Sequence, residues 1–259
     1  MAPEDVKEFL LEKAEQYEVP DFIPHDPLSI PHRFSRREDK EVSAFFAASL
    51  AWGNRVSILK SLDSLMERMD HAPGQFVLEH EASDLAVFEG FVHRTFQEVD
   101  AKGFVQALAG LLRTHGTLEQ AMLKGWSRPQ DPASVTEALT AFHQAFMAQP
   151  GVQPRTQKHV ANPAKGSAAK RLNMFLRWMV RPSDRGVDLG LWKGISPAVL
   201  HIPLDVHTSN VGRKLGLLHR SANDWKSVVE LTAALREVDP VDPVRLDFAL
   251  FGLGAMEGF

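Results

Sequence analysis

The chain has 259 residues, of which 44% are hydrophobic, enough for one large folded domain or two small ones. It contains no cysteine, which excludes disulfide bonds, thiolate nucleophiles, cysteine-bound zinc and iron–sulfur clusters. No apolar run approaches the roughly 20 residues of a membrane span, and residues 1–17 lack the apolar core of a signal peptide. We therefore expect a cytoplasmic protein with no membrane partner.

The net charge of −4 is unevenly distributed along the chain. Between Gly151 and Gly190, eight Lys and Arg residues stand against two Asp residues, so this block carries +6 and the remainder carries −10. A basic block of this kind predicts a surface that binds a polyanion, although a solvated face without a ligand is the more common role of a charge run. The basic residues of the block are Arg155, Lys158, Lys165, Lys170, Arg171, Arg177, Arg181 and Arg185.

The hydrophobic pattern is helical almost throughout and predicts an all-α fold. An opening helix is predicted over 3–17, and a proline-rich extended connection follows over 19–35. A buried helix is predicted from Glu38, and the turn Trp52-Gly53-Asn54-Arg55 separates it from a helix over 56–69. Further helices are predicted over 76–99, 103–115, 118–126 and 133–147.

The second half begins with residues 148–166, which have no clear period and are predicted to form a loop or mobile arm. A strong helix is predicted over 167–180, with apolar residues at helical spacing on one side. Lys170, Arg177 and Arg181 fall on a separate stripe, which predicts one packing face and one basic face. A helix is predicted to start at Asp205, with an amphipathic stretch over 209–218, and the last helices are predicted over 223–238 and 243–253.

The segment from Ile202 to Thr208 places a single acid, Asp205, just ahead of the predicted helix. An Asp at this position caps a helix by accepting hydrogen bonds from backbone amides, and the helix dipole favours its ionised form. A carboxylate held in this way can stabilise a developing cation or hold an amine. For an isolated Asp, capping alone is the more common role.

Several motifs occur in an order that resembles the C-terminal half of the helix-hairpin-helix DNA glycosylases. They are Pro203-Leu204-Asp205-Val206-His207-Thr208, Leu215-Gly216-Leu217, Asp242-Pro243 and Phe248-Ala249-Leu250-Phe251-Gly252. Upstream, residues 45–54 resemble the helix and turn that enter the DNA near the extruded base in those enzymes. The resemblance touches residues 38–69 and 167–259.

The chain departs from that superfamily in two ways. The Gly-rich hairpin that normally precedes the Asp is replaced by residues 187–195, and no Lys lies roughly 20 residues before the Asp. The arrangement is closer to the archaeal 8-oxoguanine glycosylase branch, whose catalytic Lys lies further upstream. Lys170, 35 residues before Asp205, is in such a place. The whole chain also resembles an uncharacterised, mostly bacterial family that carries the block 170–181 and the Pro-Leu-Asp run.

The resemblance implies a two-subdomain helical fold with an atypical hairpin. We expect one integrated unit over 1–259, with a central helical subdomain at 41–200 and a second one formed by 1–40 and 201–259. It also implies a bifunctional DNA glycosylase and AP lyase of base-excision repair, which acts on a damaged base, first of all an oxidised purine, flipped out of double-stranded DNA. We expect a monomer with no cofactor, no metal and no iron–sulfur cluster.

In this interpretation the Lys170 amine forms a Schiff base with the sugar, and Asp205 stabilises the cationic character that develops there. Lys193 is the reserve nucleophile. Each implied DNA contact also has an ordinary structural role open to it, such as packing in the core for Trp52 or capping a helix for His207. The implied DNA contacts are Trp52, Asn54, Arg55, Arg171, Arg177, Arg181 and His207.

Two alternatives remain open at this point. The first is a metal-dependent hydrolase that binds zinc, manganese or iron through His201, Asp205 and His207, although their spacing suits a single helix poorly. The second is a non-catalytic DNA-binding module of the same fold, in which Asp205 only caps its helix.

Overall fold

The computed structural model describes residues 3–259 and confirms the predicted all-α fold. Short 3-10 turns connect several of the helices, and the only sheet in this part of the chain is a two-stranded hairpin. The regular elements in chain order are α1 (Pro3–Tyr17), α2 (Ser29–His32), α3 (Arg37–Leu50), α4 (Arg55–Arg68), α5 (Pro73–Glu79), β1 (Val92–His93), β2 (Phe96–Gln97), α6 (Glu98–His115), α7 (Leu118–Lys124), α8 (Val135–Met147), α9 (Lys170–Val180), α10 (Val206–Lys214), α11 (Trp225–Val238) and α12 (Leu246–Ala255).

The chain between α5 and α6 does not form the continuous helix predicted over 76–99. It forms a 3-10 turn, Asp84–Phe88, and then the antiparallel pair β1 and β2. The hairpin turn contains Arg94 with a φ of 54°, a left-handed conformation that a right-handed helix cannot contain. The connection predicted over 19–35 is not extended either, because Pro20–His25 forms a 3-10 helix and α2 follows.

Residues 3–259 divide into two compact units. The first contains 3–22, 128–136 and 162–259, and the second contains 23–127 and 137–161. These bounds differ from those of the predicted subdomains, whose division stays a prediction.

The second unit is built around a cluster of phenylalanines. Phe45 of α3 lies 5.5 Å from Phe104 of α6 and 5.6 Å from Phe146 of α8, measured between ring centroids. All three side chains are fully buried. Aromatic pairs at this separation add to the stabilisation that burial provides, so α3, α6 and α8 share one core.

In the first unit, α12 packs closely against α1 and α10. Two glycines make this approach possible. A Cβ at Gly252 would lie 2.3 Å from the Tyr17 ring of α1, and one at Gly254 would lie 2.9 Å from Cβ of His207 in α10. A larger residue at either position would push the helices apart.

None of the helices in residues 3–259 combines the length and the apolar character that crossing a membrane requires.

Candidate functional site

Lys170 is the first residue of α9, and the backbone turns sharply just before it. Ala169 has a φ of 47°, in the left-handed region that residues with a Cβ rarely adopt. Such a conformation persists only where the surrounding structure over-determines it. The turn therefore fixes the point at which α9 begins, and with it the position of Lys170.

Asp205 is the N-cap of α10, and the predicted helix start at this residue is confirmed. Its Oδ1 accepts a hydrogen bond of 2.9 Å from the backbone N–H of Thr208. Residues 199–204, which lead to it, are all buried. The backbone N–H of Ile202 donates to Oγ1 of Thr232 in α11 over 3.1 Å, so the approach to Asp205 is anchored in the core of the first unit.

The structure brings Lys170 and Asp205 into direct contact. Nζ of Lys170 lies 3.1 Å from Oδ2 of Asp205, at hydrogen-bond distance. The Lys170 side chain is 36% exposed and the Asp205 side chain 15% exposed, so a molecule in solution can reach the amine while the carboxylate is largely covered. One carboxylate thus caps α10 with one oxygen and binds an amine with the other.

Asn173 connects the two parts of the chain that carry this pair. It lies in the first turn of α9, is 1% exposed, and its Nδ2 donates to the carbonyl oxygens of Ala168 at 3.3 Å and Ile202 at 3.5 Å. These bonds tie the start of α9 to the segment that leads into Asp205.

Asp247 of α12 is linked to the pair through Thr208 and is 7% exposed. Its Oδ2 accepts a bond of 2.6 Å from Nη1 of Arg177, and its Oδ1 accepts a longer one of 3.4 Å from Oγ1 of Thr208. Burial raises the pKa of Asp247 to about 6; the Arg177 guanidinium opposes this rise and the Asp205 carboxylate adds to it. Sequence reasoning missed this residue, because Asp247 is a polar residue within an otherwise apolar helix and carries no motif of its own.

Arg177 and Arg181 do not form the predicted basic face. They are 6% and 3% exposed, and carboxylates neutralise both. Arg177 bonds to Asp247, and Arg181 bonds to Asp188, to Glu18 at 2.6 Å and to Asp242 at 2.9 Å. Buried cations require such partners, so these two arginines hold the first unit together and are not available to bind phosphates.

Three other basic residues of the block are also less open than the sequence suggests. Arg185 binds Glu15 and Glu18, and Arg155, in the second unit, lies 3.4 Å from Asp100. Arg171 is partly buried, and desolvation lowers its pKa to about 10. The +6 block is therefore not a continuous basic surface, because most of its charges are compensated by acids from distant parts of the chain.

Two other predicted residues lie on the surface of the first unit. His207, in the first turn of α10, is exposed, and its ring meets that of Phe251 edge-on at 6.0 Å between centroids. Lys193, the reserve nucleophile, is exposed in the irregular segment 187–195, which forms neither a hairpin nor a helix.

Trp52, Asn54 and Arg55 lie together in the second unit, at the start of α4. Asn54 is the N-cap of α4, with its Oδ1 accepting from the backbone N–H of Ser57 at 3.3 Å. Asn54 and Arg55 are exposed, and Trp52 is half-buried. In the described chain, Arg55 forms no ion pair, in contrast to Arg177 and Arg181.

The sequence reasoning also missed Arg94, which completes this surface. Its guanidinium lies 4.8 Å from the centroid of the Trp52 ring, which is a cation–π contact. Its side chain also passes close over Gly53, where a Cβ would lie 2.8 Å from Nη1 of Arg94. His93 next to it is 2.9 Å from Oγ of Ser61 and 3.3 Å from the carbonyl oxygen of Trp52. The hairpin turn and the start of α4 therefore form one exposed surface with two arginines. No sequence signal could have paired them, because Arg94 lies in a stretch predicted to be helical.

The ligand set of the predicted metal hydrolase does not form. No three His, Asp or Glu side chains within residues 3–259 come together in a group that could hold a metal ion. His201 is 4% exposed and stacks on Trp225 at 5.2 Å between ring centroids, and burial lowers its pKa to about 3. His201 is thus a neutral core residue, while His207 is on the surface.

A family model described as a protein of unknown function, DUF2400, matches residues 26–256. No protein of curated function and no solved structure matches the chain.

Proposed function

We propose that this chain, which belongs to the DUF2400 family, is a DNA glycosylase and AP lyase of base-excision repair that acts on a flipped, damaged base in double-stranded DNA. Lys170 is the nucleophile and Asp205 the carboxylate that assists it. The observation that carries the proposal is the contact of 3.1 Å between Nζ of Lys170 and Oδ2 of Asp205, made at the N-terminus of a helix and reachable from solvent.

The reaction requires a neutral amine and a stabilised sugar cation. Nζ of Lys170 first gives up a proton, for which Oδ2 of Asp205 is the acceptor within reach. The amine then attacks C1′ of the deoxyribose as the N-glycosidic bond breaks, and the leaving base takes the bonding electrons together with the proton that Asp205 has accepted. Asp205 thereby returns to its ionised form, and the carboxylate beside C1′ lowers the energy of the oxocarbenium character in the transition state.

The lyase step follows from the same covalent bond. The C1′–O4′ bond opens to give an iminium with Nζ, and O4′ takes the proton that Nζ gives up after its attack. Loss of a proton from C2′ expels the 3′ phosphate with the electrons of the C3′–O bond, and water then hydrolyses the iminium to return the amine. An oxidised purine is the first substrate to test, on the strength of the archaeal resemblance alone.

The exposed surface formed by Trp52, Asn54, Arg55 and Arg94 is the proposed DNA contact of the second unit. It combines two cations without carboxylate partners, a partly exposed indole and a helix N-terminus, the groups that bind phosphates and stack on bases. Arg177 and Arg181 have no part in it.

Borohydride trapping tests the proposal. The purified protein is incubated with labelled duplexes that contain 8-oxoguanine, uracil, thymine glycol or an abasic site, and covalent adducts and base release are measured. Wild type is expected to form an adduct that Lys170→Ala abolishes, while Lys193→Ala, a matched exposed lysine, leaves the adduct unchanged. Trapping that depends on Lys193 would instead contradict the assignment of Lys170.

Asp205→Asn is the sharper variant for the carboxylate. Asn is as good an N-cap as Asp, so the variant keeps the bond from Thr208 while removing the charge. We expect a loss of base release by a factor of about 100 or more, typical of removing one electrostatic group from a site. Base release at the wild-type rate would contradict the role of Asp205.

A non-catalytic DNA-binding module is the second candidate, and the capping bond to Thr208 favours it, because it gives Asp205 a complete structural role. In that case Asp205→Asn and Lys170→Ala both bind DNA as wild type does, and no protein releases a base from any duplex.

A further inference from the structure

We propose that Asp247 is a positioning residue for the Lys170–Asp205 pair, tying the first turn of α10 to the middle of α9 so that Nζ and Oδ2 stay in contact. The structural claim concerns the pair itself, and its meaning for catalysis rests on the proposed function.

Geometry is the first support. Thr208 makes two bonds that join Asp247 to Asp205: its backbone N–H donates to Oδ1 of Asp205, and its hydroxyl donates to Oδ1 of Asp247. Thr208 is fully buried, so its hydroxyl has no access to water as a substitute partner. The first turn of α10 is therefore fixed from both sides.

The other end of Asp247 reaches α9. Arg177, two turns after Lys170, donates to Oδ2 of Asp247 over 2.6 Å and lies 4.5 Å above the ring of Phe248. Because α9 is one continuous helix from Lys170 to Val180, holding Arg177 also fixes where its N-terminus lies. Asp247 thus holds α9 and α10 in a single arrangement, in which their N-terminal residues meet.

Charge is the second support. The charged groups that act on Asp247 are Arg177 and Lys170 from α9 and Asp205 at the start of α10. A buried negative charge in this place attracts the Lys170 ammonium and repels the Asp205 carboxylate. In its ionised form Asp247 therefore adds an electrostatic restraint on the Lys170 amine to the hydrogen bonds through Thr208 and Arg177.

Two substitutions separate geometry from charge. Thr208→Val has nearly the same shape and keeps the backbone cap, but it lacks the hydroxyl that reaches Asp247. Asp247→Asn keeps an oxygen for Arg177 and offers an N–H to Oγ1 of Thr208, while the charge is lost. Thr208→Ser restores the hydroxyl and is the rescue variant.

Reductive methylation of Lys170 reads the state of the pair without DNA. The proteins are treated with formaldehyde and cyanoborohydride at pH 8, and peptide mass spectrometry gives the rate at Lys170 relative to the exposed Lys226 of α11 in the same molecule. Only the neutral amine reacts. We expect the relative rate at Lys170 to rise about three- to fivefold in Asp247→Asn, as the loss of one nearby buried charge implies.

For Thr208→Val we expect a rise of about twofold, since losing one buried hydrogen bond loosens the start of α10, and for Thr208→Ser the wild-type rate. Unchanged Lys170 rates in both folded Asp247→Asn and Thr208→Val would overturn the proposal, as would a Thr208→Ser protein that behaves like Thr208→Val. If Asp247→Asn does not fold, the Thr208 pair decides.

Trapping on DNA keeps this inference separate from the proposed function. If wild type forms an adduct and Thr208→Val forms it at the same rate, Asp247 does not position the pair for catalysis. If wild type forms no adduct on any duplex, the proposed function fails, and the methylation rates still decide whether Asp247 positions the pair.

Discussion

Two pairs of arginines, one pair in each unit, have opposite environments. In the first unit, Arg177 and Arg181 are almost fully buried and carboxylates neutralise both. In the second unit, Arg55 and Arg94 are exposed and form no ion pair within residues 3–259. A basic stretch in a sequence therefore says little about where positive potential reaches the surface, because acids from distant segments decide which cations are neutralised.

The largest expected effect is on the stability of the first unit. Arg181→Met would leave Glu18, Asp188 and Asp242 without their shared partner in a buried place. We expect the free energy of unfolding, measured by urea denaturation, to fall by about 3–5 kcal/mol. Arg185→Met, at a partly exposed arginine of the same region, is the control and should cost about 1 kcal/mol or less. Equal losses in the two variants would contradict the comparison.

His201 provides a second test, because its side chain is buried in the neutral form, whereas Arg177 and Arg181 are buried as cations. His201 is buried as a neutral ring with a pKa of about 3. As the pH falls below about 6.5, the His201 ring therefore becomes protonated in the unfolded chain but stays neutral in the folded protein. The stability that this neutral ring contributes is present above pH 6.5 and is lost as the pH falls. Between pH 7 and pH 5 we expect a loss of about 2 kcal/mol from this residue alone.

The measurement for His201 is the free energy of unfolding at pH 7 and at pH 5, in wild type and in His201→Phe. Phe keeps an aromatic ring against Trp225 but cannot take up a proton. The raised pKa of Asp247 acts in the opposite direction, since the folded protein gains a proton there as the pH falls. Both proteins share that contribution, so the difference between them isolates His201. Parallel pH dependence would refute a neutral, buried His201.

The exposed arginines should affect DNA binding without affecting stability. If the surface of the second unit contacts DNA, Arg94→Ala removes one phosphate contact and reduces the slope of log affinity against log salt by about 0.9. Fluorescence anisotropy over a salt titration measures this slope. Lys124→Ala, at an exposed lysine elsewhere in the second unit, is the matched control. A slope that Arg94→Ala leaves at its wild-type value removes Arg94 from the proposed surface.

The smallest expected effect concerns the backbone conformation of Ala169. Ala169 adopts a left-handed conformation that glycine adopts without cost, so Ala169→Gly should raise the free energy of unfolding by up to about 1 kcal/mol. The same substitution at Ala233, exposed in the middle of α11, should lower it by about 1 kcal/mol. Thermal unfolding of the two variants checks the sign, and a loss in both would show that position 169 is not strained.

Part of the candidate site could be predicted from the sequence because it depends on local rules. The helix start at Asp205 follows from its neighbours, and the helical period found most of the helices. The roles of Arg177, Arg181 and Asp247 could not be predicted, because these residues bind partners that are distant in the sequence. Arg177 and Asp247 are 70 residues apart, and Arg181 and Glu18 are 163 residues apart. Arg94 was missed for a local reason, since apolar residues around it are compatible with a helix until the turn reverses the chain.

The two glycines of α12 have a further consequence, because a packing change at one point of this helix displaces residues elsewhere on it. Gly252 lies five residues after Asp247, which is about 7.5 Å along the axis of a straight helix. Because the helix moves as a rod, a side chain added at Gly252 that pushes α12 away from Tyr17 also displaces the carboxylate that holds Thr208 and Arg177. A substitution that disturbs packing at Gly252 would thus change the reactivity of the Lys170 amine. Gly252→Ala therefore belongs among the variants that test the site, although Gly252 is not one of its residues.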